Sequence, residues 1–195
     1  MTGWSKKLYD WASRKAQSRF SVLWLGIIFF LELVFFLPLD AILLLFCLEN
    51  PSQKYRYSLV ATSASVASSL VGYLLGFALW EAINPYVLDH LISTQFFERI
   101  SLNYQQYQHY AVFLGSLLPV PFKAITLSAG VCELALLPFL GAVLLARLTR
   151  FFLIAHAISR WGVKIKAFVG RHFHNIVIAI GAKIALAITF FWILS

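Results

Sequence analysis

The chain has 195 residues, room for one or two small domains, yet 61% of it is apolar, 12% is charged and the mean hydropathy is +0.79. Soluble domains carry roughly twice that share of charge, so a water-soluble globule is excluded and the chain reads as an all-α integral membrane protein. Sixteen Lys and Arg against eight Asp and Glu leave a net charge of +8, which in a membrane protein marks cytoplasmic loops and anionic headgroup contacts rather than nucleic acid.

Residues 1–19 form the first predicted element, a basic amphipathic helix on the membrane surface. Trp4, Leu8 and Trp11 recur at helical spacing, with Lys7, Arg14 and Lys15 available for lipid phosphates. The apolar run that follows is not expected to be a removable leader, because the segment before it is long, contains Asp10 and is followed by no small-x-small cleavage site.

Beyond residue 19 the apolar runs are long enough for a bilayer core of about 30 Å, but ionisable residues interrupt nearly all of them. Residues 20–48 contain Glu32 and Asp40, residues 110–132 contain Lys123, residues 134–158 contain Arg147 and Arg150, and residues 176–194 contain Lys183. The stretch 58–80 alone is free of charge. A charge at the centre of a spanning helix costs on the order of 2.5–3.5 kcal/mol on insertion scales, so each of these residues needs a reason.

Two of the interrupted runs share a frame. Pro38-Leu-Asp40-Ala41-Ile42-Leu-Leu44 aligns with Pro121-Phe-Lys123-Ala124-Ile125-Thr-Leu127, an acid in the first copy and a base in the second. Proline disfavours helix at the residue before it and removes an amide donor. Pro38 in the first run, with Pro119 and Pro121 in the second, therefore predicts two pairs of half-helices. Such arms are too short to span and suggest re-entrant hairpins over about residues 22–48 and 110–131. Entering from opposite faces, they form an inverted repeat, and paired broken segments in two halves of a chain point to a transporter-type site.

Between the hairpins, the predicted helix 58–83 carries a face of small residues, Ala64, Ser68, Gly72 and Gly76, at intervals of four. That spacing lets backbones approach closely in lipid, either within the bundle or in a homo-oligomer. A fourth helix is expected over 134–158. Residues 163–195 read as a basic inner loop and a C-terminal transmembrane helix, in which Lys183 snorkels to the interface. His172 and His174 lie in that loop without a partner ligand cluster, so neither a metal site nor a cofactor is expected. With both runs re-entrant, nearly all Lys and Arg outside the membrane fall on the N-terminal side and Arg99 on the other, which places the N-terminus in the cytoplasm. The predicted architecture is two inverted re-entrant helical hairpins plus three to four transmembrane helices.

These motifs carry a family likeness over about residues 20–162. Glu32 through Pro38 to Asp40 resembles the first-hairpin signature of the DedA or VTT (SNARE-associated) membrane proteins. The segment from Leu118-Pro119-Val-Pro121-Phe-Lys123 to Gly130 resembles the second hairpin of the YqaA-like branch. Arg147-Leu-Thr-Arg150-Phe151-Phe152 followed by Trp161-Gly162 is similar to that branch's arginine-rich helix, and Gly72-Tyr73-Leu-Leu-Gly76 to its glycine-tyrosine-glycine element. The resemblance implies opposed hairpins meeting near the midplane of a bacterial inner membrane and transport of lipid carriers or phospholipids driven by protons. Where many relatives have an arginine just before the second hairpin's proline, this chain reads Gly115-Ser116-Leu117-Leu118. The resemblance therefore does not carry undecaprenyl phosphate over as the lipid.

Glu32 lies too deep to snorkel and Asp40 falls near a hairpin tip, which makes both candidates for proton coupling. Ion pairs from these acids to Lys123 and Arg147 would also hold the hairpins together, and such a pair opens on protonation. Lys123, Arg147 and Arg150 are the candidates for an anionic headgroup, since a guanidinium fork fits a pair of phosphate oxygens; snorkelling to inner headgroups suits Arg150 better than Arg147. The leading expectation is a proton-coupled flippase for a phosphate-bearing polyisoprenyl lipid or phospholipid. A membrane structural or assembly factor is the alternative. An enzyme acting on lipid phosphate is disfavoured, because no His-x-x-x-His, Gly-x-Ser-x-Gly or acidic metal cluster is present.

Overall fold

The computed structural model describes residues 3–34, 39–90, 93–118 and 121–162. Every regular element among them is helical: α1 (Gly3–Ala16), α2 (Ser21–Phe30) with a 3-10 turn at Leu31–Leu33, α3 (Leu39–Glu49), a second 3-10 turn at Pro51–Gln53, α4 (Lys54–His90), α5 (Thr94–Gln106), α6 (Gln108–Leu117) and α7 (Phe122–Val131), then α8 (Leu136–Gly162). Pro38, Pro119, and the basic loop and C-terminal helix expected over residues 163–195 lie outside the described residues.

Length separates these helices into two kinds. Spans of 37 residues in α4 and 27 in α8 reach about 55 and 40 Å at roughly 1.5 Å per residue, more than the ~30 Å of a bilayer core. The helices α2, α3, α6 and α7 have 10, 11, 10 and 10 residues, about 15 Å each and half of what a crossing requires. The helix expected over 58–83 is longer at both ends, and Pro85 sits inside it, forgoing one bond to the carbonyl four residues back.

The chain divides into two compact units, one made of the segments up to Ser65 and from Leu148 on, the other of Val66–Arg147. In the first, α1 packs on α3 and α2. Its contact residues Ala12 and Ala16 are fully buried and four apart, so a smooth strip of α1 lies against its neighbour. The end of α1 is tied down by polar side chains. Asn50 donates through Nδ2 to the Ala16 carbonyl at 2.6 Å, while Glu49 accepts from Ser13 and Gln17, both at 3.1 Å; the first of these satisfies a carbonyl that a helix terminus leaves without an intrahelical partner. Lys15 lies 3.6 Å from the Trp24 ring centroid. Four aromatic rings fill the interior, Phe29 edge-on to Phe151 and Phe46 edge-on to Tyr57, the edge-to-face geometry that ring quadrupoles favour. Tyr57 donates to Ser21 Oγ at 2.9 Å, and Ser58 donates to the Phe151 carbonyl at 3.0 Å.

In the second unit the backbones of α4 and α7 touch. A Cβ on Gly76 would collide with the Leu127 carbonyl, and one on Gly130 with the Tyr73 carbonyl and, at 2.6 Å, the Phe77 amide. Only glycine fits at these two crossings, and dispersion between close backbones replaces the hydrophobic drive that lipid removes. Tyr73 donates to the Leu134 carbonyl at 2.7 Å and its ring packs on Phe139. Replacing Gly130 with Ala should therefore destabilise the detergent-solubilised protein by about 1–3 kcal/mol, the usual cost of overpacking. Gly141→Ala, inside α8 where nothing lies within 4 Å of the new Cβ, should leave the melting temperature the same or raise it slightly, since alanine is the better helix former.

Candidate functional site

The site residues fall into two groups, one in each unit. In the first unit α3 begins at Leu39, so Asp40 is its second residue, where the positive end of the helix favours a carboxylate. Arg150 of α8 holds it with both ends of a fork: Nε donates to Oδ1 at 3.0 Å and Nη2 donates to Oδ2. The Arg150 side chain is 20% exposed and that of Asp40 34%, so the pair is half-buried rather than sealed in the core. Glu32 lies in the 3-10 turn that ends α2, half-buried, and accepts from Ser65 of α4 at 3.4 Å. Ser65 itself is fully buried.

Arg150 is the partner seen on Asp40, a pairing the sequence reading did not name. Fork geometry decides it: a guanidinium meeting a carboxylate edge-on makes two parallel charge-assisted bonds that a lysine cannot make.

In the second unit α7 begins at Phe122, with Pro121 as its N-cap and the half-buried Lys123 as its second residue. The two copies of the proline frame thus place an acid and a base at the same position of α3 and of α7. A lysine there opposes the helix dipole, so the N-terminus of α7 concentrates positive charge. Arg147 is 4% exposed and its guanidinium lies 3.8 Å from the centroid of the Phe122 ring, a cation–π contact that strengthens with desolvation. Of the small residues singled out on α4, Gly72 is buried and Gly76 backs onto α7.

Three residues escaped the sequence reading. Phe122 stands beside Lys123 in the repeat frame, but nothing in the pattern announces a ring under Arg147. Ser65 adjoins the small-residue face, and its spacing gives no sign that it serves Glu32. Gly130 closes the second hairpin motif without any sign that it meets α4. Among the described residues no three His, Cys, Asp or Glu side chains gather as metal ligands.

An all-helical chain with two helices long and apolar enough to cross a bilayer fits an integral membrane protein. The VTT domain model matches residues 26–160, so the chain belongs to the VTT (DedA) family. An uncharacterized protein of Haemophilus influenzae is 30% identical over 156 residues, 80% of each chain. Another, from Histophilus somni, is 30% identical over 161 residues, 82% of this chain and 84% of its own. No solved structure matches.

The Asp40–Arg150 pair should show a coupling energy of about 1–2 kcal/mol in a double-mutant cycle of Asp40→Asn and Arg150→Gln. Chemical denaturation in detergent micelles reads it, and strictly additive effects would remove the pair from the account of stability.

Proposed function

We propose that this protein is a transporter that moves a phosphate-bearing lipid, a polyisoprenyl phosphate or a phospholipid, across a bacterial inner membrane in exchange for protons, without catalysing any covalent change. In this reading α4 and α8 cross the membrane, α2 with α3 and α6 with α7 are re-entrant hairpins, and the N-terminus is cytoplasmic. The half-length of the four hairpin helices supports it, because non-helical backbone at that depth survives only where protein or a wet cavity surrounds it.

The observation that carries the proposal is the buried Arg147 on the Phe122 ring at the start of α7. A desolvated guanidinium, Lys123 one residue on from that ring, and the positive end of α7 together form an environment suited to a phosphate group. Coupling falls to the acids of the first unit. Protonation of Asp40 replaces a charge-assisted fork with a weaker neutral contact and frees Arg150, and Glu32 on its buried serine offers a second carboxylate for the same proton.

Proteoliposomes carrying a fluorescent phospholipid or polyisoprenyl phosphate test both parts. Arg147→Ala is expected to slow translocation at least about tenfold, equivalent to ~1.4 kcal/mol of barrier, while the protein remains folded. Asp40→Asn should keep downhill movement but lose acceleration by an imposed pH gradient. If Asp40→Asn translocates like the parent protein at every pH, the ion pair is a fastener and Asp40 has no part in coupling; if the parent protein itself moves no lipid, the assembly-factor reading takes precedence.

A further inference from the structure

The C-terminus of α7 breaks two local rules at one residue. The Leu134 amide returns to the Ala129 carbonyl at 3.0 Å and the Glu133 amide to the Gly130 carbonyl at 3.1 Å, the pair of bonds that closes a helix in a Schellman motif. The residue in left-handed backbone at such a close is usually glycine, since a Cβ is unfavourable there. Here it is Glu133, with φ 50°. Its carboxylate also stands at the negative end of the α7 dipole, where an acid is the disfavoured charge. Strain of this kind points to a local task, and Glu133 borders a place where one can be performed.

Glu133 lines a cavity of about 340 Å³ formed with Trp80 of α4 and with Phe97 and Glu98 of α5. The volume lies at the lower end of the range of small-ligand sites, about 300–1,000 Å³. Trp80 and Phe97 stack with ring centroids 4.3 Å apart, a rigid aromatic pair in which each ring keeps one face not covered by the other. On the opposite side Ser101 and Gln105 donate to the Cys132 carbonyl at 3.3 and 2.8 Å, which fixes α5 against the end of α7 and positions Glu133 at the rim. The charged side chains lining the cavity are both carboxylates, and the helix end adds negative potential, so the site rejects anions. A hydrated metal ion gains nothing from the rings. An organic ammonium gains from both, because its diffuse charge is attracted to ring faces and carboxylates while its alkyl groups pack on the aromatic wall.

We propose that this cavity binds an organic ammonium group, primary or quaternary, between the Trp80–Phe97 wall and the carboxylates of Glu133 and Glu98. The site stands on observations separate from those behind the phosphate site. The ammonium group can arrive on a free amine or on the headgroup of an amine-bearing lipid, and the two sources separate by experiment.

The full-length protein in non-ionic detergent is titrated calorimetrically with tetramethylammonium, choline and ethanolamine, with NaCl and KCl as controls. In a second arm, native mass spectrometry counts lipids retained from vesicles of phosphatidylethanolamine and phosphatidylglycerol. Saturable binding of the free amines supports the free source, and selective retention of phosphatidylethanolamine without it supports the lipid source. In either arm Glu133→Gly should weaken binding at least about tenfold while raising the melting temperature, because it removes the acid and relieves the strained backbone together. Trp80→Leu should weaken it similarly, and Trp80→Phe less. Binding unchanged in Glu133→Gly and Trp80→Leu overturns the proposal, as do equal responses to sodium or potassium and the absence of saturation in both arms.

Discussion

Half-length helices in an apolar chain face one demand above all: each broken end exposes backbone groups that hydrocarbon cannot satisfy, so the protein must supply the partners itself. Much of the described structure is arranged around that demand. Asn50 takes the last carbonyl of α1, and Ser101 and Gln105 take the Cys132 carbonyl beyond α7. Tyr73 reaches the Leu134 carbonyl between α7 and α8. Hydroxyl and amide side chains that look like scattered polar residues in a hydropathy plot are the groups that allow helices to stop inside or beside the membrane.

The same demand governs the ionisable residues. Each lies where a partner or a helix terminus lowers the cost of keeping it out of water. Asp40 stands at the start of α3 in the fork of Arg150, Glu32 accepts from a buried serine, and Arg147 rests on an aromatic face. The two units differ in chemical character. The first brings the carboxylate of Asp40 into an arginine fork, and the second concentrates positive charge at the head of α7 and negative charge at its tail, Lys123 at one end and Glu133 at the other. A ten-residue helix that opposes its own dipole at both ends gives up stability, and charges held at such a cost are the ones most worth testing for ligands.

Much of the membrane character was legible in the chain. Composition excluded a soluble fold, proline and charge together marked the broken runs, and the repeated frame located Asp40 and Lys123 at equivalent points, which proved to be the second residues of α3 and α7. The small-residue face of α4 was legible as a close-packing surface. Its consequences were not: Ser65 serves Glu32, and Gly76 faces the Leu127 backbone. Sequence spacing reports which residues share a face and carries no information on what lies opposite.

Local physics therefore determined that the chain is helical and that α3 and α7 begin directly after a proline, while Pro85, carried inside α4, shows that proline alone does not end a helix. Partner choice belonged to the tertiary structure. Arg147 and Arg150 have the same charge and reach, and no spacing rule distinguishes them. Arg150 meets the carboxylate of Asp40 and Arg147 lies against the Phe122 ring, and only the packing of distant segments decides which of these contacts each one makes.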